Sequence, residues 1–160
     1  MEELAAAPLR LCVRRREGRG ESPEAGLIVA LELPADVRCV EEAVELMARH
    51  CFAGPPPSAG RTRFRLRVLL AEAISNSILF GARGDPTRKV RIEALVNEAT
   101  IRLEVTDDGP GFDPAEVPDP TLPDGLARPI GRGLFLIRHL ADRVEFNEQG
   151  NTIWMTLPRC

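Results

Sequence analysis

The placement of glycine and proline constrains this chain most. It carries 13 Gly and 14 Pro in 160 residues. Eleven of these fall between Gly109 and Gly133, and five between Gly54 and Gly60. Regular secondary structure does not run through such clusters, because proline removes a backbone donor and glycine leaves the backbone too free. The chain therefore reads as three blocks separated by two breaks. A segment as long as 109–133 within a compact domain is usually a functional cover or disordered. With 44% hydrophobic residues, a chain of this length is expected to form one domain with a buried core, not two full domains.

In the first block, residues 1–26 read as an N-terminal arm or an extra hairpin, with an apolar alternation at Leu9–Val13 and a basic, glycine-rich stretch after it. Leu27–Leu31 has strand character and ends at Pro34. A helix opens at Pro34-Ala35-Asp36, with Val37, Val40, Val44 and Met47 at helical spacing. In the second block, a helix is expected from about Arg61 to Phe80. Leu66, Leu69, Leu70, Ala73, Ile74 and Ser77 mark its buried stripe, and Gly81 is its stop. Two alternating strands follow, Val90–Val96 and Thr100–Thr106. The third block reads as a helix over Leu134–Arg143 and a closing hairpin, Val144–Phe146 with Ile153–Leu157. Together these predict an α+β, two-layer sandwich whose mixed, mostly antiparallel sheet is covered on one face by helices.

Composition excludes several functions. Aromatics make up 4% of the chain and the net charge is −3, which argues against base-stacking and phosphate-backbone binding to nucleic acid. Cys12, Cys39, Cys51 and Cys160 form no C-x-x-C pair. No apolar run approaches the ~18 residues of a membrane span, and no secretory leader is legible, so a cytoplasmic protein without membrane partners is expected. His50 and His139 read as solvated helix residues. Arg61, Arg63, Arg65 and Arg67 spread around a helix cylinder and read as a solvated helix start before an acidic-partner patch.

Three short motifs carry chemistry. Glu72 and Asn76 lie four apart on the second helix and project from nearly the same face. That pattern suits a solvated face, and equally a carboxylate and carboxamide sharing a cation or water. Asp107-Asp108-Gly109-Pro110-Gly111 ends a strand at two acids followed by Gly-x-Gly. It is either an ordinary turn or an acceptor for an exocyclic amine, with backbone free to approach a ligand. Gly131-Arg132-Gly133-Leu134 feeds an apolar helix. It reads as a tight helix start or as an anion site built from free N–H groups and the helix dipole.

In this order and spacing, the three resemble the Bergerat-fold, GHKL-type ATP-binding superfamily of gyrase, Hsp90, histidine kinases and MutL. Glu72-x-x-x-Asn76 is similar to its N box, Asp107-x-Gly109-x-Gly111 to its first glycine box, and Gly131-x-Gly133-Leu134 to its second. Within it, Ala71–Asn76, Asp107–Pro114, Gly131–Arg138 and Gly150-Asn151-Thr152 look most like the anti-sigma-factor serine/threonine kinases. The resemblance implies a Bergerat-fold kinase domain over 27–160, with an ATP lid at about 109–133. It implies ATP and Mg²⁺ as cofactors, Asn76 on Mg²⁺, Glu72 as general base and Arg132 neutralising transferring charge. Asp107 would take the adenine amine with Thr152 in support through its hydroxyl or a water, Gly109 and Gly111 would let the lid hinge, Gly131 and Gly133 would cradle phosphate, and Leu134 would belong to the cofactor site. The implied partners are an anti-sigma-factor antagonist as phospho-acceptor, a sigma factor, and a second copy in a homodimer. Where family N boxes often carry a polar residue or His, this chain has Leu79-Phe80. A nucleotide-sensing module that holds its partner without phosphorylating it is the alternative, followed by a detached histidine-kinase-type catalytic domain.

Overall fold

A computed structural model describes residues 9–18, 25–52, 60–111, 113 and 129–159. In chain order the elements are β1 (Arg10–Arg16), β2 (Gly26–Pro34), α1 (Val40–Cys51), α2 (Gly60–Asn76), β3 (Lys89–Val96), β4 (Thr100–Asp107), α3 (Pro129–Leu140), β5 (Arg143–Phe146) and β6 (Thr152–Pro158). A 3₁₀ turn at Val37–Cys39 precedes α1, and a π-helical turn at Ser77–Gly81 continues α2. Among the described residues, no helix is long and apolar enough to cross a membrane.

The strands form one six-stranded sheet in the order β1-β2-β3-β4-β6-β5. Every neighbouring pair is antiparallel. Strand side chains alternate between faces, and the sequence obeys that period closely. On β3 and β4 the buried positions are Val90, Ile92, Ala94 and Val96, then Ile101, Leu103, Val105 and Asp107. On β6, Ile153, Met155 and Leu157 share that inner face. The last inward position of β4 is thus an aspartate, in a row otherwise apolar.

Helices cover the inner face. α1 buries Ala43, Val44, Met47, Ala48 and Cys51, and α2 buries Leu66, Leu69, Leu70, Ala73 and Ile74. Each such Leu, Ile or Met gains about 1.5–3 kcal/mol on leaving water, so the helix layer holds through its apolar stripes. The four arginines at the start of α2 divide their work: Arg67 is ion-paired with Glu45 of α1, and Arg63 lies 5.3 Å from the Phe52 ring centroid. β1 pairs with β2 throughout its length yet is exposed at every position. Its arginines suit a sheet edge, where charge discourages further strand addition.

The third helix differs from the sequence expectation at both ends. α3 begins at Pro129, not Leu134, so Gly131 and Gly133 lie inside the helix and not in a loop before it. Proline pre-sets a helical φ at a first position, where no N–H is needed. The helix closes with Ala141 N–H on the Ile137 carbonyl. Asp142 N–H then turns to the Thr156 carbonyl on β6, 2.8 Å away, which draws Arg143 into β5 instead of the helix. Most of the break expected over Gly54–Gly60 and most of the cover expected over 109–133 lie outside the described residues.

Candidate active site

α2 delivers Glu72 and Asn76 one turn apart, at the end of the helix that also forms the centre of the core. Opposite them, Gly133 of α3 comes so close that a methyl group there would lie 2.8 Å from Glu72 Oε2 and 3.2 Å from Asn76 Nδ2. The glycine therefore leaves room for both side chains. Among the described residues the buried Asn76 carboxamide nitrogen has no hydrogen-bond partner, a state that costs about 1–3 kcal/mol unless a ligand relieves it.

Asp107 closes β4 on the inner face and is 4% exposed. Burial pushes its carboxyl above the ordinary aspartate value of 3.8, and hydrogen bonds from Gly109 and Ser77 oppose that rise. The Gly109 N–H donates to Asp107 Oδ1 at 2.7 Å. Its neighbour Asp108 is the opposite case. It faces Arg91 at 2.8 Å, and that hydrogen bond holds its carboxyl below the usual range.

The π-helical turn brings Gly81 against Asp107, where a methyl would overlap the carboxylate oxygens. A methyl on Gly109 would overlap the Gly81 carbonyl, and one on Gly111 the Gln149 carbonyl. Gly111 also has φ +79°. Both glycines are thus required by close approach, but what they approach is the protein's own backbone. This packing role stands beside the ligand approach and hinge expected of the two glycines.

A cleft between α2, α3 and the sheet brings together Asn76, Asp107, Leu134 and Thr152, with Ser77 and Asn151. Glu72 stands beside it at Gly133. Arg132 is exposed on the first turns of α3. The first N–H groups of a helix lack intrahelical partners, so in a helix that begins at Pro129 the N–H of Gly131 has no acceptor within the helix, whereas those of Arg132 and Gly133 belong to the helix ladder. Thr152 lines the cleft without touching Asp107 directly. Its hydroxyl lies 2.9 Å from that of its cross-strand partner Thr106, on the outer face, and no hydrogen bond joins it to Asp107. The residue with inward parity is Asn151, whose carbonyl accepts the Asp107 N–H at 3.0 Å. Parity counted back from Ile153 is the sequence signal that separates the two.

The described walls enclose about 20 Å³, room for a single water, where small-molecule sites usually offer ~300 Å³ or more. The residues present suit Mg²⁺. The Asn76 carboxamide oxygen is a hard neutral ligand of the kind Mg²⁺ takes, and the orphaned amide nitrogen beside it is a donor suited to a phosphate oxygen or a water. Among the described residues no three His, Cys, Asp or Glu side chains converge. A cation here would take few protein ligands and fill its shell from phosphate and water, the usual Mg²⁺ regime.

Comparison with known proteins agrees with this geometry. The chain is 32% identical to an anti-sigma F factor of Oceanobacillus iheyensis over 57% of its own length and 66% of that protein's. It is 31% identical to the serine-protein kinase RsbW of Listeria monocytogenes, over 57% of the chain and 62% of the relative. It thus spans just under two thirds of the curated relatives it matches. The family profile of the histidine kinase-like ATPase domain matches residues 32–157, from β2 to the end of β6. An α+β sheet covered by three helices, with its acidic, amide and glycine motifs gathered at one cleft, is the arrangement expected of such a domain, and the chain belongs to the histidine kinase-like ATPase domain family.

Proposed function

We propose that the chain is an ATP-dependent protein serine/threonine kinase acting as an anti-sigma factor, which phosphorylates an anti-sigma-factor antagonist and regulates transcription by switching partners. The observation that carries this reading is the meeting of Glu72 and Asn76 with Gly133, beside the cleft that holds Asp107. Relatives named as an anti-sigma factor and a serine-protein kinase support it. The sigma factor and a second copy of the chain complete the proposed set of partners, and the cytoplasm is the proposed location.

In this reading Asp107 accepts the exocyclic amine of adenine, for which it must be ionised. Glu72 takes the proton of the acceptor hydroxyl as its oxygen bonds to the γ-phosphorus and the bond to the leaving ADP oxygen breaks. Arg132 offers positive charge to the transferring group, and the N-terminal end of α3, with its helix dipole, favours phosphate. Mg²⁺, when bound, would supply charge neutralisation and phosphate orientation, with Asn76 the side chain that holds it. Positioning of this kind supplies most of the catalysis in phosphoryl transfer.

The test is incubation of the chain with Mg-ATP and candidate antagonists. Phosphate should appear on a serine or threonine of the antagonist that binds, and Glu72→Gln should abolish transfer while ATP still binds. Absence of phosphate on a demonstrated binding partner would overturn the kinase reading. It would favour the partner-holding module, to which the exposed, apolar Leu79 points.

A further inference from the structure

The turn between β5 and β6 is tied to the Asp107 loop more closely than a simple hairpin needs. Asn147 Oδ1 accepts the N–H groups of Asn151 and Thr152 at 3.0 and 3.1 Å, which closes the turn. Asn147 Nδ2 donates to Asn151 Oδ1 at 2.6 Å and so fixes the Asn151 side chain. Asn151 Nδ2 in turn donates to the Gly109 carbonyl at 3.5 Å. Gly109 carries its own N–H to Asp107 Oδ1 at 2.7 Å. On the backbone, the Asn151 carbonyl accepts the Asp107 N–H at 3.0 Å. Gly111 lies against Gln149 of the same turn, with no space for a methyl. The contacts form a continuous path from Asn147 through Asn151 and Gly109 to one oxygen of the Asp107 carboxylate.

We propose that Asn147 and Asn151 are positioning residues for base recognition: they hold Gly109, and through it the Asp107 carboxylate, in the orientation that selects a nucleotide bearing a 6-amino group. This rests on the reading of Asp107 as the acceptor for adenine. A carboxylate tied by one oxygen to Gly109 has restricted rotation, so its remaining acceptor capacity points in a fixed direction. Released from that tie, it still accepts a hydrogen bond but no longer pre-orients for one, and selectivity falls more than overall binding. Neither asparagine need touch the nucleotide for this to operate.

The experiment compares affinity for Mg-ATP and for Mg-ITP, which differs at the 6-position by a carbonyl in place of the amine. A hydrogen bond to a charged acceptor corresponds to about a ten-fold preference or more, so the unmodified chain should favour ATP by at least that factor. Asn147→Asp keeps the oxygen that closes the turn but loses the donor to Asn151. Asn151→Ala removes the donor to Gly109. Both should lower the ATP/ITP ratio to about two-fold, with the free protein still folded by circular dichroism. Two variants guard against one failing to fold. Equal weakening of ATP and ITP, or an unchanged ratio in both variants, would overturn the proposal, because a merely structural role predicts the former and no role the latter. Asp107→Asn serves as the reference. If it leaves the ratio unchanged, the reading of Asp107 fails whatever the asparagines do. An unmodified chain that binds neither nucleotide, or both equally, removes that reading and this inference together.

Discussion

Gly84 and Gly111 form a natural pair for measuring what close packing of the glycine motif costs. Both have left-handed backbone, φ +68° and +79°. A methyl on Gly84 meets nothing within 4 Å, whereas one on Gly111 overlaps the Gln149 carbonyl oxygen and lies 2.7 Å from its carbon and 3.0 Å from the Gly150 carbon. Left-handed backbone costs a residue with a Cβ about 1–2 kcal/mol, so Gly84→Ala should destabilise by about that much. Gly111→Ala bears the same conformational cost. It also forces apart two backbone segments that no rotamer change can relieve, and overpacking of this kind adds about 1–3 kcal/mol. The expected total is about 2–5 kcal/mol.

Urea denaturation of the two variants reads the difference directly. At about 2–4 °C per kcal/mol for a domain of this size, thermal melts should separate them as well. Where the Gly111 loop lets go of the β5–β6 turn instead of unfolding the domain, the excess appears as weakened ATP binding, which Gly84→Ala leaves intact. Equal stability and equal nucleotide affinity in the two variants would refute the idea that this glycine serves a backbone-to-backbone contact.

Asp107→Asn and Asp108→Asn should shift stability in opposite directions at neutral pH, although the residues are adjacent. The raised Asp107 value means its contribution is present below the unfolded value near 3.8 and is lost as pH rises through the folded value. Asp107→Asn should therefore raise the melting temperature of the nucleotide-free protein at neutral pH and remove that pH dependence, while abolishing ATP preference. The lowered Asp108 value means its contribution is present above that unfolded value and is lost as pH falls through the folded one. Asp108→Asn should cost at most ~1 kcal/mol at neutral pH, since the Arg91 pair is half exposed, and nothing in strong acid. Leu103→Ala, fully buried at the centre of β4, should lose about 2–5 kcal/mol in urea denaturation. Burial pushes the Cys51 thiol up to about 12, so brief alkylation at neutral pH followed by mass spectrometry should label exposed Cys12 and spare Cys51.

Local patterns were the legible part of this fold. The period of Val90–Val96 and Thr100–Thr106 identified the inner face of two strands, and the stripe from Leu66 to Ile74 identified the buried side of α2. The three motifs meet where the chain brings the end of α2, the end of β4 and the start of α3 to one cleft. What escaped was set by contacts between segments distant in sequence. α3 starts at Pro129, a position proline favours, and its Gly133 packs against Glu72 and Asn76, a contact between segments that no local pattern names. Strand parity, counted back from Ile153, is what distinguishes the inward backbone of Asn151 from the Thr152 hydroxyl, which meets Thr106. The Asn147–Asn151 relay joins a turn to a loop some forty residues earlier, a partnership that turn chemistry alone does not name.

The packing of the site glycines bears on how the site works. Glycine in a nucleotide motif invites the inference that it makes room for the ligand. Here Gly81, Gly109, Gly111 and Gly133 make room for one another's segments: Gly81 admits the Asp107 carboxylate, Gly109 the Gly81 carbonyl, Gly111 the Gln149 carbonyl, and Gly133 the Glu72 and Asn76 side chains. On the proposed roles, the consequence is a site whose base end and phosphate end are not independent. Asn76 is the last residue of α2, and the π-helical turn that follows it carries Ser77 to Asp107 and Gly81 to Gly109. A displacement of Asp107 is therefore felt on the helix that holds Glu72, over a distance bridged by close-packed backbone, which transmits strain because it has little room to absorb it. In this arrangement the glycines do not loosen the site. They let it be built tightly enough that recognition of the base is mechanically continuous with placement of the residues proposed for phosphoryl transfer.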